Sequence, residues 1–170
     1  MKKFILFLFM LALPFAADAQ GQQLRFGYFS YQEVFQSMPD YAIAKRNIDD
    51  LSVKYDAETK RTEDEFNKKY EDFLDGQRDF APSIRNKRQA ELVELMEKNV
   101  AFKEEAKRLM AQATADAYAP LKAKLKAALQ KIGRDRGYAF IINTDNDAAP
   151  YVDSTMGEDI STMLKDALNK

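Results

Sequence analysis

Between Pro39 and Gly137 the apolar residues are sparse and fall mostly three or four positions apart. Ile48, Leu51, Tyr55, Phe66, Tyr70 and Phe73 mark the outgoing limb, a spacing that keeps one narrow stripe on a helix. The pattern weakens at Asp75-Gly76 and again at Phe80-Ala81-Pro82-Ser83. Glycine costs a helix interior about 1 kcal/mol, and proline disfavours helical geometry in the residue before it, so a reversal is predicted between Leu74 and Ser83. A longer return stripe follows through Leu92, Val93, Met96, Val100, Phe102, Leu109, Met110, Ala113 and Ala117. The pattern predicts a helical hairpin over residues 39–118. At about 1.5 Å per residue, a limb of about 40 residues is about 60 Å long.

The flanks read differently. Leu24-Arg25-Phe26-Gly27-Tyr28-Phe29 predicts a strand with Leu24, Phe26 and Tyr28 on one face and Gly27 on the other. Ser30 and Glu33 have capping-box spacing, so a short helix carrying Val34 and Phe35 should begin there and end before Pro39. After the hairpin, Leu125, Ala128, Leu129 and Ile132 point a helix inward, and Gly137 supplies its cap. Pro120 lies inside that helix and marks an expected hinge. Tyr138–Ile142 and Ala149–Val152 predict two further strands, joined by a hairpin turn at Asn143-Thr144-Asp145-Asn146-Asp147. That turn starts like a calcium loop but has Ala148 in place of the required Gly and Ser154 in place of the closing Glu, so no metal site is expected. Ile160, Met163, Leu164, Ala167 and Leu168 then predict a helix closing over the sheet. The fold class is α+β: a long antiparallel helical arm on a small β body formed by residues 20–38 and 119–170. Three short strands make a poor sheet alone, so edge pairing between copies is expected to complete it, with Leu24, Phe26, Tyr28, Phe140 and Ile142 at the seam.

Composition narrows the function. The 170 residues include no Cys, His or Trp, which removes disulfides, thiolate nucleophiles, the commonest general base and the commonest transition-metal ligand. Catalysis is therefore disfavoured, and neither a cofactor nor a nucleic acid is expected. A chain that is 31% charged with a thin apolar stripe cannot fill one thick core. Acid–base pairs at i,i+4 (Asp50–Lys54, Asp56–Lys60, Asp64–Lys68, Glu65–Lys69, Glu94–Lys98 and Glu104–Arg108) suit arms that stand in water.

Met1–Ala19 has Lys2 and Lys3, a short apolar run broken by Pro14, and Ala17-Asp18-Ala19, the three parts of a secretory signal peptide cleaved before Gln20. Loss of Lys2, Lys3 and Asp18 leaves 24 basic and 26 acidic side chains. Residues 121–136 are locally basic, with Lys122, Lys124, Lys126, Lys131, Arg134 and Arg136 against Asp135. This is read as a solvated face complementing the helix dipole, with weak membrane-surface contact at low salt as the functional alternative.

The distal arm residues Phe66, Tyr70, Phe73, Phe80, Met96, Phe102 and Met110 have two readings. They form the seam of the hairpin, or they widen the stripe into an adaptable apolar surface for a client.

Arg25-Phe26-Gly27-Tyr28-Phe29-Ser30-Tyr31-Gln32-Glu33-Val34-Phe35 followed by Ser37-Met38-Pro39-Asp40-Tyr41 resembles the amino-terminal pattern of the Skp/OmpH family of periplasmic chaperones. Ala119-Pro120-Leu121, Lys124-Leu125, Ala128 and Gly137-Tyr138-Ala139-Phe140-Ile141-Ile142 resemble its return helix and second strand. The resemblance implies a homotrimer with a barrel-like β body, helical arms around a cavity, and holding of unfolded outer-membrane β-barrel proteins in the periplasm without ATP. Members are often strongly basic, which this chain is not, so no lipid site is carried over. The competing reading is an exported coiled-coil adaptor bound to one fixed partner.

Overall fold

The computed structural model describes residues 24–169; the expected signal peptide at residues 1–19 lies outside them. The chain runs β1 (Phe26–Phe29), α1 (Tyr31–Gln36), α2 (Pro39–Gly76), α3 (Pro82–Arg136), β2 (Phe140–Asn143), a 3₁₀ turn (Asp145–Asp147), β3 (Gly157–Asp159) and α4 (Ser161–Leu168). The long helices α2 and α3 have 38 and 55 residues and reverse between Gly76 and Pro82. Proline opens both, where its missing amide proton costs nothing. Gly137 ends α3 in the left-handed conformation, φ 65°, with its amide on Arg134 O.

Most of the hairpin meets along a heptad-like seam. On α2 the inward positions include Ala44, Ile48, Leu51, Tyr55, Thr62 and Phe66; on α3 they include Leu92, Leu95, Asn99, Phe102, Ala106 and Leu109. Steps of three and four hold one stripe against the partner helix. Asn99 interrupts the apolar run and donates to Thr62 O at 3.0 Å.

The surface charge pairing corrects the sequence reading. Glu65–Lys69 (3.9 Å) and Glu94–Lys98 (2.5 Å) form as expected. Lys60 turns to Asp64 at 3.1 Å, leaving Asp56 to Ser52, and Arg108 takes Glu105 rather than Glu104. Competing i,i+3 and i,i+4 partners are near-degenerate on an exposed face.

The sheet is three-stranded in the order β2-β1-β3, and both pairings are parallel. Phe26 lies beside Phe140 and Gly157, and Tyr28 beside Ile142 and Asp159. Two expectations fail here. Ala149–Val152 is not a strand, and residues 143–147 are not a hairpin turn: β3 lies at Gly157–Asp159, on the far side of β1 from β2. The cause is Asp145. One carboxylate oxygen accepts from Ser30 Oγ at 2.6 Å and the other from the Gln32 amide at 2.7 Å, while Asn143 Oδ1 accepts from the Tyr31 amide at 3.1 Å. The segment after β2 is thereby tied to the start of α1 and cannot fold back on β2. Ser30 caps α1 as its spacing implied, accepting from the Glu33 amide at 3.1 Å, but Glu33 does not reach back; its carboxylate takes Lys165 at 2.5 Å.

One face of the sheet is covered. Gly27 and Phe29 point there, and a Cβ on Gly27 would come within 3.2 Å of Ile160 and Tyr138, so glycine permits the close approach. Val34, Leu125, Ile160 and Leu164 are fully buried with Phe29, Phe35, Met38 and Leu121 around them. Burying each such side chain stabilises the fold by roughly 1.5 to 3 kcal/mol. The arm is rooted in this core through stacked rings: Tyr31 on Phe35 at 5.5 Å, and Tyr41 on Tyr118 at 5.6 Å with planes 6° apart. α3 continues helical through Pro120, between Tyr118 and the buried Leu121.

Candidate functional site: an apolar face on the arm

The seven arm residues singled out in the sequence do not share one surface. Phe102 lies in the seam against Tyr55 at 6.3 Å, and Met110, two turns further along α3, is half-buried. Phe73 is only 7% exposed and packs on Phe80 at 6.3 Å, which removes it from any open surface. Phe80 in turn lies so close over Gly76 that a Cβ there would overlap its ring, and Arg88 covers it at 4.3 Å. The reversal thus has its own small core. Glycine is needed at 76 because the aromatic ring occupies the space of a side chain.

Phe66, Tyr70 and Met96 remain, and the structure brings them together on one side of the hairpin. Phe66 stacks on Tyr70 at 6.0 Å and lines a groove of about 500 Å³ with Met96 and Val100. Met96 is 50% exposed, Val100 58%, and Val93 51% one turn earlier. Val93, Met96 and Val100 follow i, i+3, i+7, a second stripe beside the seam stripe Leu92, Leu95, Asn99 and Phe102. The sequence pattern places Val93 and Val100 within one return stripe, because spacing alone merges the two stripes. Their offset from the seam was the available signal.

Charge frames this face. Lys103 reaches across the hairpin to Glu63 at 2.5 Å, and Lys60, Asp64 and Asn67 complete the groove. Lys98 holds the Glu94 carboxyl below its ordinary range by hydrogen bonding, as Arg108 does for Glu105. These side chains are exposed, so they contribute solubility more than stability. A smaller groove of about 410 Å³ near the reversal combines Ile84 and Leu92 with Lys69, Asp72, Lys87 and Arg88. Such surfaces offer apolar contact within a field of both signs.

The body holds the second set. Phe26 stacks on Phe140 at 5.4 Å on the sheet face opposite the core, and their register neighbours Tyr28 and Ile142 share that face. Phe140 is 46% exposed and Leu24, two residues before β1, is 54% exposed. Parallel sheets normally have both faces covered, and here Phe26, Tyr28 and Ile142 are half-buried while Phe140 and Leu24 stay exposed. Among the described residues no helix is long and apolar enough to cross a membrane, and no three His, Cys, Asp or Glu side chains converge as metal ligands. Of the basic residues in 121–136, Lys124 pairs with Asp40 at 2.6 Å, Lys131 with Asp135 at 2.6 Å and Arg136 with Glu158 at 3.5 Å.

A comparison with curated protein sequences finds no match. The family model for outer membrane proteins of the OmpH-like type matches residues 25–168, from β1 to the end of α4. By that match the chain belongs to the OmpH-like outer membrane protein family.

Proposed function

We propose that this protein is an ATP-independent periplasmic holdase that keeps unfolded outer-membrane β-barrel proteins from aggregating. The observation that carries the reading is the exposed stripe Val93, Met96 and Val100, with Phe66 and Tyr70 beside it, on an arm that also exposes Ile43, Val53, Leu74 and Ile84 singly among its charges. An unfolded β-barrel protein exposes apolar side chains that gain burial against the stripe, at about 25 cal/mol per Å² removed from water. The charged remainder of the arm keeps the complex dispersed. Contacts of this kind are weak and distributed, so the client leaves without an energy source.

Family membership supports the chaperone class, and the composition supports a non-enzymatic role. Division into an arm (39–118) and a body (20–38 with 119–170), export through the amino-terminal signal, and a homotrimer joined by edge pairing of the strands belong to the same proposal. In that assembly the arms stand around a shared cavity. The test is dilution of a urea-unfolded β-barrel membrane protein into buffer with and without this protein. The reading expects light scattering to be suppressed near stoichiometry, with no nucleotide present. Unchanged scattering, together with tight binding to a single folded partner, would instead identify a coiled-coil adaptor.

A further inference from the structure

The exposed arm stripe has a methionine at its centre. Met96 is 50% exposed between Val93 and Val100 and lines the same groove as Phe66. The chain has no Cys and no Trp, so its thioethers are its most readily oxidised side chains. The described methionines differ in their surroundings. Met38 is 3% exposed within the core of the body, and Met110 is half-buried on α3. Met163 is half-buried as well, and its sulfur accepts from the Arg136 guanidinium at 3.1 Å. Met156 is 45% exposed, but it lies just before β3, in the body. Among them Met96 alone combines an open side chain with a place on the apolar arm face.

We propose that Met96 is an oxidative modification site, whose conversion to methionine sulfoxide by a hydroperoxide makes the holding face polar and lowers its affinity for client. The inference rests on the holding reading and adds the regulation of that site. The thioether sulfur attacks one peroxide oxygen. An S–O bond forms as the O–O bond breaks, sulfur gives up two electrons, and the displaced oxygen leaves as water with both peroxide protons. Reversal needs two thiols of a separate reductase, which supply two electrons and two protons, so that the oxygen leaves as water and a disulfide forms. This chain carries no thiol of its own. In the reduced form Met96 is a flexible apolar filler that adapts to varied client side chains. The sulfoxide is polar, and covering its oxygen with an apolar client segment strips its water without supplying a donor. The seam on α3 runs through Leu92, Leu95, Asn99 and Phe102. An oxygen added at position 96 therefore stays out of the hairpin packing, and affinity changes without unfolding of the arm.

The test treats the full chain with hydrogen peroxide and removes the peroxide with catalase before any client is added. Peptide mapping by mass spectrometry should show oxygen gained at Met96 and Met156 well before Met38, with an unchanged helical circular dichroism spectrum. The dissociation constant for a urea-diluted β-barrel membrane protein should then weaken about tenfold. Treatment with a methionine sulfoxide reductase and dithiothreitol should restore it. Met156→Leu should lose affinity on oxidation as the wild type does, whereas Met96→Leu, whatever its starting affinity, should bind equally before and after peroxide. Oxidation of Met96 no faster than that of Met38, or a loss on peroxide treatment in Met96→Leu as large as in wild type, overturns the proposal. Equal wild-type affinity before and after oxidation of Met96 also overturns it and leaves the holding reading standing. Failure of the untreated protein to bind the client removes both.

Discussion

At the scale of single residues, long-range polar contacts decide what local patterns leave open. Asp145 accepts from Ser30 and the Gln32 amide, and these hydrogen bonds hold its carboxyl below the ordinary range. A depressed folded pKa contributes stability that is complete above the unfolded value of about 3.9 and is lost as pH falls through the folded value. Asp145→Asn should therefore melt lower than wild type at neutral pH, and the gap should close in acid; a gap constant with pH would deny the carboxylate this role. Tyr138 shows the opposite sign. Burial and its hydrogen bond to Glu158 push its pKa up to about 12, so stability present below the unfolded value of about 10 is lost as pH rises toward 12. Tyr138→Phe should flatten the melting temperature between those limits, as thermal scans on the alkaline side would record. The cap at Ser30 and the glycine at 137 were legible because each acts on its own neighbours. Asp145 looks like part of a turn in the sequence because its partners lie well over a hundred positions away.

At the scale of elements, the helical hairpin was written in three- and four-residue steps, and both limbs and the reversal are where those steps place them. Strand order was not. A run such as Ala149–Val152 shows propensity but no partner, and in the single chain another segment, Gly157–Asp159, takes the place beside β1. Glycine at 157 suits that place, since the Phe26 ring occupies the position of a Cβ at 2.5 Å. Within the arm, Asn99 exchanges apolar packing for one hydrogen bond to a carbonyl in the seam. A polar residue at such a position fixes register and costs stability. Asn99→Leu should accordingly raise the melting temperature of the arm while allowing slipped pairings, visible as doubled resonances for Thr62 and its neighbours in amide spectra. A lower melting temperature would show that the hydrogen bond outweighs the packing. Pro120 belongs to this scale too. Alanine there restores an amide donor to the Asp116 carbonyl, and an interior proline can cost a helix about 3 kcal/mol. Pro120→Ala should raise thermal stability and narrow the spread of arm distances in small-angle scattering; an unaltered spread would locate any bending elsewhere.

At the scale of the whole molecule, a rooted base and a charged, thinly apolar arm divide two requirements that conflict on one surface. The root is fixed by the ring stacks at Tyr41 and Tyr118 and by the core around Leu125 and Ile160. The arm exposes valines and a methionine that a monomeric globule would bury, next to ion pairs that keep it in solution. The second sheet face, with Phe140 and the nearby Leu24 exposed, adds a further apolar surface at the base. The most direct measurement is the dissociation constant for a urea-diluted β-barrel membrane protein, compared between wild type and Val93→Ser/Met96→Ser/Val100→Ser. Losing about 1 kcal/mol or more of burial at each position predicts affinity weaker by well over tenfold, with arm helicity retained. Equal affinity in the two proteins would contradict the assignment of holding to this face.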